Sequence, residues 1–91
     1  MSSVQLAFSS DGTRRLSSLP VGGRGVIVAV RELPGTARSA ERLLTLGVTP
    51  GAVVRMLQKF PGVVFACDQT EIAVEWSVAD SVLVRTVEVQ S

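Results

Sequence analysis

The sequence predicts a mainly β domain: a small β-barrel of about five strands, with one short α-helix between the first and second core strands. Three observations carry this. Valine is the dominant apolar residue, and β-branched side chains fit strands better than helices. Apolar residues fall in short runs separated by turn pairs such as Gly22-Gly23, Pro34-Gly35, Pro50-Gly51 and Pro61-Gly62. The chain has 91 residues, 46% of them hydrophobic, which suits one small core. A sheet of this size, with runs apolar on both sides, buries both faces by bending into a barrel.

The elements follow in order. Residues 1–15 read as a loosely ordered, Ser-rich N-terminal arm, in which Val4, Leu6 and Phe8 alternate as an edge strand would. The folded domain is placed at residues 16–89. Leu16 and Leu19 lead into a turn at Gly22-Gly23. Arg24 to Arg31 reads as a strand that is either central or wrapped within a barrel, with Val26, Val28 and Val30 on one side and Ile27 and Ala29 on the other. Thr36 is the expected N-cap of a helix from about Ala37 to Leu46. Its apolar positions are Ala37, Ala40, Leu43 and Leu44, which sends Arg38, Glu41, Arg42 and Thr45 toward water. Gly47 stands where a helix end needs a left-handed residue, and Pro50 cannot continue a helix. Ala52 to Lys59, Val63 to Cys67 and Glu71 to Trp76 are the next strands, the last with Ile72, Val74 and Trp76 alternating inward. Ser77 to Asp80 reads as one helical turn capped by Ser77, and Val82 to about Val89 as the final strand.

Composition excludes several functions. Nine basic residues against eight acidic ones leave a net charge of +1, with no clustered basic face for nucleic acid. Cys67 is single and histidine is absent, so neither a disulfide scaffold nor a His- or Cys-based metal site is expected. The N-terminus lacks the basic and apolar regions of a signal peptide, and no run approaches the roughly 18 apolar residues of a membrane span. A cytoplasmic, soluble protein without cofactor is expected. There is no Ser/His/Asp, Cys/His or paired-carboxylate set, Asp68 and Glu71 read as solvated turn residues, and an enzyme is not expected. Asp11-Gly12 and Gly22-Gly23-x-Gly25 precede no helix and no Lys-Ser or Lys-Thr pair, so they do not read as phosphate loops.

The run Arg42-Leu43-x-x-Leu46-Gly47-Val48-x-Pro50-Gly51-x-Val53-Val54 resembles the signature of the FeoA family. That family's domain recurs as the C-terminal SH3-like part of DtxR-type iron-dependent repressors. Three further matches keep the family's order: Leu16-x-x-Leu19-x-x-Gly22 before Gly25-Val26-Ile27, Pro61-Gly62, and Ile72-Ala73-Val74 before Ala79-x-x-Val82-x-Val84. Two positions depart from it. Glu75 stands where the family often has Arg, and Phe60-Pro61-Gly62 replaces a longer loop.

The resemblance implies an SH3-like β-barrel. It also implies a small cytoplasmic accessory protein of ferrous iron uptake, acting through protein contacts with the FeoB membrane transporter and its cytoplasmic part. The alternative is an SH3-like regulatory domain related to DtxR-type metalloregulators, against which the absence of a winged-helix sequence ahead of residue 16 counts. Neither nucleic acid nor direct membrane insertion is expected, and the oligomeric state is open. The candidate partner-binding residues are Arg38 and Arg42, one helical turn apart, and Phe60 and Pro61 at a turn tip. Each pair has a plainer reading: a solvated helix face for the arginines, and a cover over the barrel end for Phe60. Cys67 reads as a buried strand residue and Trp76 as a core or barrel-end plug.

Overall fold

Residues 13–87 are described by the structure, a computed structural model. Six antiparallel strands form one sheet in the order β1-β6-β2-β3-β4-β5. They are β1 (Thr13–Arg15), β2 (Arg24–Val30), β3 (Val53–Gln58), β4 (Val63–Cys67), β5 (Thr70–Val74) and β6 (Val82–Thr86). A 3-10 turn (Leu16–Ser18), helix α1 (Ala37–Thr45) and helix α2 (Trp76–Asp80) complete the chain.

The mainly β class holds, with two corrections to the expected barrel. There are six strands rather than about five, because Thr13–Arg15, read with the N-terminal arm, pair with Leu83–Arg85 of β6. Their side chains are exposed, so no apolar alternation marks them as a strand. The sheet also does not close: among the described residues no ladder joins β1 to β5. Helix α2 packs against the 3-10 turn and β6 and buries Val78 and Ala79. The Ser17 hydroxyl donates to Asp80 and ties α2 to the 3-10 turn. The alternation of Val4, Leu6 and Phe8 lies outside the described residues, as does the stretch after Val87.

Alternating burial builds the core. Val54 and Met56 of β3, Val63 and Phe65 of β4, Ile72 of β5, and Val82 and Val84 of β6 point to one side. Leu16, Leu19 and Ile27 join them. Phe65 is the largest fully buried side chain. Register shifts between Ile27 and Ala29 and between Met56 and Gln58 add bulges, which bend strands and sharpen their twist. β2 is central, paired with both β3 and β6. Gly25 permits that packing, since a Cβ there would lie 3.0 Å from the Arg85 carbonyl oxygen and 3.1 Å from the Val84 Cβ.

Helix α1 ends as its sequence requires. Gly47 has φ 99°, its N–H donates to Leu44 O at 3.1 Å, and the Val48 N–H donates to Leu43 O at 2.9 Å. This pair of bonds satisfies carbonyls that a helix end would leave without partners. Leu43 and Val48, which flank the turn, are both buried. Thr36 is the N-cap as expected, its carbonyl accepting from the Ala40 N–H at 2.9 Å, but its side chain does not cap the helix. The Thr36 hydroxyl makes no cap bond; it donates to the Leu33 carbonyl and accepts from the Leu33 N–H, each at 2.9 Å, so it braces the preceding turn. The helix buries only Ala40 and Leu43, while Ala37 and Leu44 are exposed. A nine-residue helix resting on one narrow stripe has no second apolar side to hide.

The segment after β5 also differs. The strand stops at Val74, and Trp76 opens α2 instead of ending a strand. The N-cap is Glu75, not Ser77, and no side chain caps it. Val78 and Ala79 are the buried pair of this helix, and seating them turns Trp76 outward.

Candidate protein-interaction surface

Three elements meet around the end of β5: α1, the β3–β4 turn and the start of α2. Arg38 and Arg42 are both exposed on α1. Arg42 borders a hollow of about 270 Å³ with Ser39, Leu43 and Leu46 of α1, and its far wall is Ile72 to Glu75 with Val78. Pro61 borders a second, more open hollow of about 500 Å³, formed with Gln58, Gly62, Val63 and Val64. Ala73, Val74, Glu75 and Trp76 complete it. The two hollows therefore share Ala73, Val74 and Glu75.

Phe60 is 76% exposed at the tip of the β3–β4 turn. Its ring lies 5.8 Å from that of Trp76, tilted by 49°. The Lys59 Nζ sits 5.6 Å from the Trp76 centroid, within cation–π range. Two aromatic rings and a cation thus stand together on the surface. Phe60 does not cover a barrel end, and Trp76 is not a core plug; they pack on each other outside the sheet.

Of the four residues singled out from sequence, the structure brings Arg42, Phe60 and Pro61 to the surroundings of β5, while Arg38 borders neither hollow. Sequence reasoning missed Trp76, Lys59 and the exposed Leu44 and Leu46. A signal for Trp76 was present: it directly precedes the Ser77–Asp80 helical turn, whose own buried residues leave its first position facing outward.

Cys67 lies on the core side of β4, and its Sγ donates to the Gly47 carbonyl at 3.5 Å. Burial, and then the neighbouring Asp68 carboxylate, push its thiol above the ordinary value, which disfavours the reactive thiolate. Among the described residues no group of three or more His, Cys, Asp or Glu side chains is placed to hold a metal ion. No helix among them is long and apolar enough to cross a membrane. The surface offers apolar contact, ring stacking and charge, which are means of recognition.

The family model of the FeoA domain matches residues 14–86. The chain is similar to FeoA of Stenotrophomonas maltophilia, solved with zinc: 32% identity, TM-score 0.71, covering 77% of this chain and 87% of that one. It is also similar to FeoA from Chlorobium tepidum, at 24% identity and TM-score 0.70, covering 85% of this chain and 73% of that one. IdeR of T. acidophilum shares the fold, with TM-score 0.72 at 18% identity over 82% of this chain and 34% of that one. No curated protein matches. The family match takes in both helices and, save Thr13 at the start of β1, all six strands, and the chain belongs to the FeoA family.

Proposed function

We propose that this protein is a small cytoplasmic accessory factor of ferrous iron uptake that binds the cytoplasmic part of an FeoB-type membrane transporter and performs no catalysis of its own. Family membership supports the iron-uptake setting. The S. maltophilia relative, an SH3-domain protein, has been put forward as a ferrous iron transport activating factor. The observation that carries the contact mechanism is the exposed Phe60–Trp76 pair with Lys59 over the indole, beside the hollow bordered by Arg42. Tryptophan, tyrosine and arginine are enriched among interface hot spots, and a small domain gains little stability from leaving two rings outside its core. Ferrous iron is then the transporter's cargo, and this chain contributes a docking surface.

The test is a pull-down of the transporter's isolated cytoplasmic part by the wild-type chain and by Phe60→Ala. Retention by wild type and loss with the variant, at unchanged circular dichroism, is the expected result. Failure of the wild-type chain to retain that part at micromolar concentrations would overturn the proposal.

A further inference from the structure

β5 is an edge strand: β4 pairs one side of it, and among the described residues no strand pairs the other. Cys67 pairs with Thr70 across a two-residue loop, and from there the register runs to Val63 opposite Val74. Residues flanking such a loop exchange both hydrogen bonds, and the pattern alternates along the ladder. Thr70, Ile72 and Val74 therefore turn their N–H and C=O groups toward β4, whereas Glu71 and Ala73 turn theirs to the open side. Side chains alternate as well: Ile72 is buried and Val74 half-buried, while Glu71 and Ala73 are exposed. An edge of this kind is a template for another strand.

The edge has a second wall. Ser39, Arg42, Leu43 and Leu46 of α1 face Ile72 to Glu75 across the hollow of about 270 Å³. That volume equals about nine waters at ~30 Å³ each, which is room for the aliphatic side chains of one or two residues. A strand added to β5 would place every second side chain in this hollow, against Ile72, Val74 and the half-exposed Leu46. Its other side chains would stand on the outer face beside Glu71 and Ala73, with Glu75 just beyond.

We infer that this edge and α1 together form a groove for an extended segment of another protein, in which basic residues alternate with aliphatic ones. Charge selects the occupant. The outer face of β5 and its exit carry Glu71 and Glu75, while Arg42 stands on the α1 wall, so the segment's cations belong on the outer face and its aliphatic side chains in the hollow; opposite charges across strands attract where like charges repel. The two carboxylates blunt the edge against acidic or neutral strands and leave it open to a basic one. The inference holds whichever protein supplies the segment, so it does not depend on the transporter being the partner.

The experiment uses the full chain, labelled with ¹⁵N, and two probes: a heptapeptide alternating lysine and valine, and one alternating glutamate and valine. The expected result is binding of the lysine peptide, with slowed amide exchange at Glu71 and Ala73. In Glu71→Lys with Glu75→Lys, the lysine peptide should bind about tenfold more weakly and the glutamate peptide more tightly. Ala73→Pro removes an N–H from the open side without touching the β4 ladder, and should abolish binding while the circular dichroism spectrum persists. Equal binding of both peptides, or perturbations that leave Glu71 and Ala73 unmoved, would overturn the inference. So would self-association without peptide that the double lysine variant removes, since the opposite edge carries Arg14 and Arg15 and a second copy would then be the occupant.

Discussion

Replacing Gly47 by alanine isolates the energy of one backbone conformation. Gly47 has φ 99°, and a Cβ built there would meet no atom within 4 Å. Steric crowding therefore adds nothing, and the whole cost is that of holding an L-residue in the left-handed region, about 1–2 kcal/mol. Gly47→Val should cost more, up to about 3 kcal/mol, because a β-branched side chain tolerates positive φ least. Gly62→Ala is the control, since no positive φ is found there and the nearest atom to its Cβ would be the Val74 carbonyl oxygen at 3.7 Å, an ordinary contact. It should change stability by no more than about 0.5 kcal/mol. Urea unfolding followed by circular dichroism reads the difference. With a denaturant slope near 1 kcal/mol per molar, Gly47→Ala should lower the midpoint by about 1–2 M. If Gly47→Ala and Gly62→Ala unfold at the same urea concentration, the positive φ of Gly47 is not what the end of α1 requires.

Other expected outcomes follow from the same packing. Phe65→Ala should lose about 3–5 kcal/mol by emptying the centre of the core, whereas Phe60→Ala should stay within about 0.5 kcal/mol, both read by urea unfolding. Stability should fall as pH rises above about 8.5: the Cys67 thiol titrates at a higher pH when folded than when unfolded, so the unfolded chain gives up its proton first and is favoured in that window. Cys67→Ala should flatten this alkaline slope, and a thiol reagent should label native Cys67 far more slowly than the unfolded chain. Trp76 is the single tryptophan, and its fluorescence should be quenched by iodide in the native state, because the ring is outside the core.

What could be read from the sequence was local. The end of α1 needs only Leu43, Gly47 and Val48, all within one turn, and its hydrogen bonds run where the residue types require. The strands carrying Val54, Met56, Val63, Phe65, Val82 and Val84 announce themselves because one face is buried and the period is two. The misreadings arose where a periodicity outlasted its element. Ile72, Val74 and Trp76 keep the period of a strand, but the strand ends at Val74 because Val78 and Ala79 must reach the core from a helix. Leu44 fits the helical stripe, yet α1 rests on the domain too narrowly to bury it. β1 was illegible because its pairing with β6 is a contact between distant parts of the chain, made by backbone and unmarked by side chains. The candidate surface was legible in part for the same reason. Arg42, Phe60 and Pro61 are conspicuous residue types, but strand order alone puts them around an open edge at β5.

Under the proposed function, the chain docks on the transporter through the surface around Trp76. The most direct measurement is an NMR titration of the ¹⁵N-labelled chain with the transporter's cytoplasmic part, following the indole N–H of Trp76 and the backbone amides of Arg42 and Phe60. Saturable shifts or broadening are expected at all three, and are lost in Phe60→Ala. Saturable changes confined to other parts of the chain, or none at a molar excess of the transporter domain, would contradict it.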